Sequence, residues 1–223
     1  MSTRTGPRRR SFSLGDAGRE FAKHPSPWLI GVTLAGAVAA RIVVGDWQYT
    51  DALVPAAMLA IFPFFEWLVH VVILHWRPRK VGPVTVDPVL ARKHREHHVD
   101  PREVPLIFIP WRALLWILPG AWGLALLAFP RPGLGLTFLA VLGGLGVGYE
   151  WCHYLIHSDY KPKTAAYKAI WRNHRQHHFK NEHYWFTVTS AGTADRVLGT
   201  CPDPADVASS PTARHLHAAT PGR

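Results

Sequence analysis

The sequence predicts an all-α, integral-membrane protein in which four transmembrane helices carry a helical, histidine-rich cap on the cytoplasmic side. Three observations lead there. Long apolar runs alternate with stretches rich in His, Arg and Lys, although mean hydropathy over the 223 residues is close to zero; runs of about 20 apolar residues mark helices that cross a bilayer. Histidines gather at helical spacing at the ends of the second and fourth runs, and again shortly after each. Lysine and arginine collect in alternate connecting segments.

Residues 1–27 form a polar, basic segment with Arg4, Arg8, Arg9, Arg10, Arg19 and Lys23. The first span, Trp28 to Val44, is long enough to stay as an anchor instead of being cleaved as a signal peptide. Arg41 near its far end is placed to snorkel towards the interface. The loop G-D-W-Q-Y-T-D suffices only for a turn between antiparallel helices. The second span, Ala52 to Trp76, is about 37 Å long at helical rise against a hydrocarbon core of about 30 Å. Its last turns, with His70 and His75, therefore project from the bilayer.

A basic loop over 77–103 ends in A-R-K-H-R-E-H-H-V-D. From Val104 to Pro130 the chain is apolar but broken by Pro105, Pro110 and Pro119, which predicts a short interfacial piece up to Pro110 and then a third span. R-P-G then turns the chain. The fourth span, Leu134 to His157, carries Gly143, Gly144, Gly146 and Gly148, small residues that permit close helix contact. Residues 28–200 thus make one membrane domain. From Cys201 to the end at 223, Pro, Ala, Ser and Thr dominate and predict a disordered tail.

Charge sets the orientation. Lys and Arg number 6 in residues 1–27, 7 in 77–103 and 9 in 158–223, against none in 45–51 and 1 in 130–133. The positive-inside rule then places both termini, the central loop and every histidine cluster in the cytoplasm. A net charge of +10 on a soluble face would suggest nucleic acid, but these charges lie between spans and exclude that partner. Two cysteines, Cys152 and Cys201, make neither a disulfide framework nor a Cys-rich metal motif. Cys152 reads as a packed thiol.

On a helix, positions i, i+3 and i+4 share a face. His153 and His157 therefore point together, as do His174, His177 and His178 of H-R-Q-H-H, with Arg175 and Gln176 turned aside. His94, His97 and His98 of H-R-E-H-H repeat the pattern after His70 and His75. Imidazole is the commonest ligand for transition metals, so ten of the 14 histidines make a candidate site for two metal ions. His24, His215 and His217 read as ordinary solvated side chains. One pair is awkward: residues five apart lie about 140° apart around an α-helix. One ion reaches both His70 and His75 only if the helix end unwinds or the ion sits between helices. Structural zinc uses a closed set of four ligands. About five imidazoles per ion instead leave a position open, which suits a redox metal such as iron acting with O₂ on the C–H bonds of a lipid.

His70/His75, H-R-E-H-H, His153/His157 and H-R-Q-H-H on four spans, with the ending H-H-F-K-N-E-H-Y-W-F-T-V-T-S-A-G-T-A-D-R-V-L-G-T, resemble the fatty acid hydroxylase / sterol desaturase superfamily over roughly residues 50 to 200. The pattern is most similar to fatty acid 2-hydroxylases without their cytochrome b5 domain. The resemblance implies a dimetal (diiron), O₂-dependent monooxygenase that hydroxylates a fatty acyl chain, with iron in the active form and zinc as a substitute in purified samples. It would place one ion on His70, His75, His94, His98 and His177, and the other on His97, His153, His157, His174 and His178. Electrons would come from a separate donor, such as a cytochrome b5 or a ferredoxin with its reductase. Alternatives are a carotenoid ring hydroxylase or sterol oxidase of the same superfamily and, from another class, a divalent-metal transporter or store. His183 reads either as a residue supporting the site or as a surface histidine. Glu66 and Glu150 are placed either to orient ligand N–H groups or to bond helix to helix. Asp159, Asn173, Tyr184 and Asp195 are weaker candidates.

Overall fold

The structure, a computed structural model, describes residues 12–217. Among these residues the regular elements are helices apart from one short hairpin. The elements long and apolar enough to cross a membrane are Pro25–Val44, Tyr49–Leu74, Val104–Leu127 and Pro132–His157. The first is helix α2. The second combines a 3₁₀ turn (Tyr49–Ala52), α3 (Leu53–Leu68) and a π-helical segment (Val69–Leu74). The third comprises α5 (Val104–Ile107) and α6 (Trp111–Leu127), separated near Pro110 as the prolines predict. The fourth is α7. Only between 11% and 28% of each span's most apolar stretch is buried within the protein. Val43, Leu59, Trp116 and Leu127 instead face outward, and so large an apolar surface is sustained only in lipid.

Helix α7 is the centre of the bundle and packs against α2, α3 and α6. Backbone closeness explains part of its glycine content. A Cβ on Gly135 would lie 1.7 Å from the Ala125 carbonyl oxygen of α6, and one on Gly143 would lie 2.9 Å from Leu34 of α2. Gly146 meets Ile30, whereas Gly144 and Gly148 face nothing within 4 Å. Close helix contact thus accounts for two of the four glycines in that run.

At the end of the bundle away from the histidines, Arg41 does not snorkel. It is 3% exposed and pairs with Asp51 at 2.7 Å and Asp46 at 3.1 Å, while its Nε donates to Thr137 at 2.9 Å. Arg131 also pairs with Asp51. The short loop supplies both carboxylates, so the buried guanidinium finds its partners inside the protein. Removing one member of such a buried set leaves the others unpaired, at a cost of about 3–5 kcal/mol.

Three segments between or beyond the spans differ from the sequence reading. Helix α1 (Leu14–Phe21) forms within the N-terminal segment because Ser13 and Asp16 make a capping box; its Phe21 packs on Phe108 and Tyr154. The central loop folds an exposed hairpin, β1 (Arg79–Val81) with β2 (Val84–Val86), ahead of α4 (Val89–Val99). Residues 201–217 are not the disordered tail that composition predicts. They form turns, and Ala213 and Leu216 are buried. The rest of the expected tail, 218–223, and residues 1–11 lie outside the described residues.

Candidate metal centre

All four histidine clusters meet at one end of the bundle. His70 and His75 come from the second span, His94, His97 and His98 from α4, His153 and His157 from the last turns of α7, and His174, His177 and His178 from α8 (Ala165–Phe179). Nine of these ten side chains are buried and His75 is half-buried. The structure sorts them into two sets, His70, His75, His94, His98 and His177, and His97, His153, His157, His174 and His178, each with candidate ligand atoms within 4.8 Å of one another. This is the division that the resemblance implies. The sets adjoin, with the rings of His98 and His178 4.2 Å apart.

The awkward pair is resolved by the backbone. Residues Val69–Leu74 are π-helical, and the His75 N–H donates to the His70 carbonyl at 3.0 Å, an i→i+5 bond. Each π turn holds an extra residue, so positions five apart come to the same side as positions four apart do in an α-helix. The two rings lie 5.0 Å apart. The helix end changes its winding instead of unravelling.

Four of the ten tautomers are set from outside, while Nδ1 of His97, His174 and His178 is buried with no hydrogen-bond partner among the described residues. Nδ1–H of His70 donates to the Phe186 carbonyl at 2.6 Å, His177 to Tyr184 at 2.8 Å, His98 to Ala213 at 2.7 Å and His153 to Ile107 at 2.8 Å. A neutral ring with its proton on Nδ1 presents a bare Nε2 lone pair. Those Nε2 atoms turn inward, where they meet others at short range: His70 to His94 at 3.0 Å, His98 to His94 at 3.1 Å, His75 to His177 at 3.2 Å, His153 to His174 at 3.1 Å and His97 to His157 at 3.2 Å. Lone pairs converging so closely repel unless a cation lies among them. Nitrogens bound at about 2.1 Å to one ion stand about 3 Å or a little more from each other. The donor set therefore fits two metal ions.

Around the first set, a loop held by side-chain bonds supplies two of these carbonyls. Asp195 of α9 (Thr193–Val197) accepts from the N–H groups of Phe186 at 2.8 Å and Thr187 at 2.9 Å. Asn173 Nδ2 donates to the Thr187 carbonyl at 2.7 Å, and Glu66 accepts from the Thr189 N–H at 3.1 Å. Between the two carbonyls, Trp185 takes a left-handed conformation with φ 57°, uncommon outside glycine. Glu66 thus acts on the loop, not on a ligand. Glu150 accepts from Ser26 at 2.7 Å and from the Ile109 N–H at 2.9 Å, two residues on from the Ile107 carbonyl that holds His153. Tyr184 contributes its backbone. Asp159 makes an exposed pair with Arg102, and His183, with its side chain 60% exposed, is a surface histidine near Glu182. Arg95 of H-R-E-H-H makes a two-pronged bond to Asp87 and reaches the Trp76 carbonyl. Sequence reading missed the Phe186, Ile107 and Ala213 carbonyls, because a backbone oxygen carries no residue signature.

Burial holds the imidazoles outside the spans neutral. His94, His97, His98, His174 and His178 sit well below the usual histidine range, chiefly because burial penalises the charged form, with neighbouring imidazoles adding repulsion. His177 is lowered by burial to about 4. A group whose folded pKa is depressed takes up its proton less readily than the unfolded chain does, so stability present above about pH 6.5 is lost as pH falls towards 4. Bound metal should follow, since only unprotonated imidazole ligates. Elemental analysis after desalting is expected to show constant metal above pH 7 and its loss between about pH 6.5 and 4. Content unchanged at pH 4 would argue against imidazole ligation.

Four membrane-length helices and, at one end of them, two sets of five imidazoles define an integral-membrane protein with a histidine-rich site suited to metal. The model of the fatty acid hydroxylase family matches residues 55–200, and the chain belongs to that family. Among its relatives are the dihydroceramide fatty acyl 2-hydroxylases FAH2 and FAH1 of Arabidopsis thaliana, 29% identical over 154 residues and 28% over 155. Each match covers 67% of this chain, which spans 61% and 62% of the relatives' own lengths. Full-length Scs7p, solved with only its hydroxylase domain visible, superposes with a TM-score of 0.59 at 18% identity over 89% of this chain and 70% of that one, a likeness of fold.

Proposed function

We propose that this protein is a membrane-bound lipid hydroxylase whose two imidazole sets hold two metal ions, iron in the active form, and whose substrate is a fatty acyl chain hydroxylated at carbon 2. One observation carries the reading: an apolar cavity of about 320 Å³ between the spans reaches Val69 and Leu74, the chain neighbours of His70 and His75, and Tyr149, whose ring lies 5.7 Å from that of His153. Near the histidines it is lined by Val69, Ile73, Leu74 and Tyr149, and at its other end by Ala121 and Leu139. Tyr149 and Leu139 are ten residues apart on α7, about 15 Å along the helix. A lipid with its polar head at the cap and its tail in this cavity presents the carbons next to the head to the imidazoles, which favours carbon 2 over mid-chain positions. Thr33, Leu114 and Leu118 line both this cavity and an open apolar groove between α2 and α6, a lateral route from the bilayer.

A redox-active ion pair, when bound, supplies the O₂ chemistry that oxidation of a C–H bond needs. The chain's own residues do the rest. Phe186, Tyr184, Ala213 and Ile107 hold the imidazole protons outward, and the apolar lining excludes water from the tail. Inserting one atom of O₂ and reducing the other to water consumes two protons from solvent and an electron pair drawn from a separate donor. By the positive-inside rule that donor meets the cap on the cytoplasmic side. A transporter would place its ligands near the bilayer midplane, whereas these lie at the span ends. Lipid analysis of cells with and without the gene tests the reading: acyl chains heavier by one oxygen at carbon 2 are expected only with it, and identical lipid profiles would sink it.

A further inference from the structure

The last described stretch lies beyond the region that matches the family, and composition gives it no role. Its contacts are nonetheless specific. The Ser210 N–H donates to the Lys180 carbonyl at 2.8 Å, Asn181 Nδ2 donates to the Ala208 carbonyl at 3.3 Å, and the Thr212 hydroxyl donates to Glu182. These bonds tie the stretch to the end of α8, which carries His177. Arg214 donates to the Val99 carbonyl at 3.2 Å, and His98 Nδ1 donates to the Ala213 carbonyl at 2.7 Å. Both join it to α4, which carries His94 and His98. Finally, His217 Nε2 donates to the His75 carbonyl at 3.0 Å, where the second span ends. The second span, α4 and α8 are the three elements that supply the first imidazole set.

We propose that residues 208–217 form a strap that completes the first metal site. The inference rests on the dimetal reading above. The strap acts at two points. The Ala213 carbonyl holds the His98 proton on Nδ1 and so leaves Nε2 free to ligate. His217 caps a carbonyl left open at the end of a helix, at the residue that the π segment swings round beside His70. Buried Ala213 and Leu216 close the strap over this corner. Among the described residues the strap makes no bond to α7, the helix that gives His153 and His157 to the second set. Although α4 and α8 also carry His97, His174 and His178, the strap's bonds to histidines of the two sets, from His98 to Ala213 and from His217 to His75, both fall in the first set, so the first site leans on the strap more directly than the second. His217, read from sequence as a solvated side chain, is a positioning residue.

The test uses purified full-length protein loaded with zinc and challenged with a chelator. The full chain and a chain ending at His217 are expected to hold two ions equally well. A chain ending at Val207 should hold one. The double variant Arg214→Ala, His217→Ala keeps every proposed ligand and the Ala213 carbonyl, and should release one ion about 10-fold faster while the other is unchanged, at the low end of what losing an outer partner costs. Release of both ions at the rate of the full chain, or parallel loss of both, would overturn the strap. A second readout needs no metal: in the metal-free full chain the Ser210 amide should exchange hydrogen at least about 10-fold more slowly than in an unstructured peptide. Exchange at the free-peptide rate would also overturn it. A full chain that binds no zinc or iron would sink the dimetal reading instead, with the Ser210 measurement still deciding the strap.

Discussion

A His177→Ala variant is expected to reach the membrane in normal amount and to form no hydroxylated product. His177 lies on α8, outside the candidate spans, so insertion does not depend on it. Its ring is fully buried, its Nδ1 donates to Tyr184, and its Nε2 stands 3.2 Å from that of His75. Truncation removes one of five nitrogens from the first set and opens the site to water. The fall in turnover should exceed the roughly 10–100-fold that follows loss of an outer partner, because here a proposed ligand itself is removed. Bound metal should drop from two ions towards one. His183→Ala serves as the control: that side chain is six residues away in sequence but exposed, and near-native turnover is expected. Product formation by mass spectrometry, normalised to protein in the membrane, decides the matter. Retained turnover in His177→Ala would remove this residue from the ligand set.

Filling the far end of the cavity should change which chains are accepted. Ala121 faces the cavity opposite the imidazole end and packs beside Leu139 and Ala125. An Ala121→Trp variant would occupy the space that the last carbons of a long tail need. Each methylene accommodated or refused in an apolar pocket is worth about 1–3 kcal/mol, a factor of 10–200 in discrimination. The product distribution is therefore expected to move to shorter chains, with the longest native substrate disfavoured at least about tenfold. Overpacking carries its own cost of about 1–3 kcal/mol, so folding is checked by the thermal midpoint. Leu127→Trp, at an outward-facing site 87% exposed, should leave chain length untouched. An unaltered distribution in well-folded Ala121→Trp would mean that the acyl tail lies elsewhere.

Several structural features have local causes, and these were legible in the sequence. Span boundaries follow from apolar run length, and Pro105 and Pro110 mark where the third span divides because proline cannot donate to a helix interior. The histidine motifs announce themselves because i, i+3 and i+4 share a face whatever the rest of the chain does. The capping box at Ser13 and Asp16 is equally local, a short-range pattern inside a segment whose composition is otherwise polar and basic. Arg41 is the opposite case: its partners Asp46 and Asp51 are plain in the sequence, but only the packed turn shows that they close around it.

The sequence by itself determined that two of four apolar helices end in spaced histidine pairs and that an H-R-x-H-H group follows each, because hydropathy and helical spacing are properties of neighbouring residues. Only the tertiary structure decided how those imidazoles divide into two sets, why His70 and His75 can serve together, and which carbonyls orient them. The reason is physical: a change of helix winding, or a backbone oxygen of Phe186 or Ala213 brought to a ring more than a hundred positions away, belongs to no residue type and exists only once the chain has closed on itself.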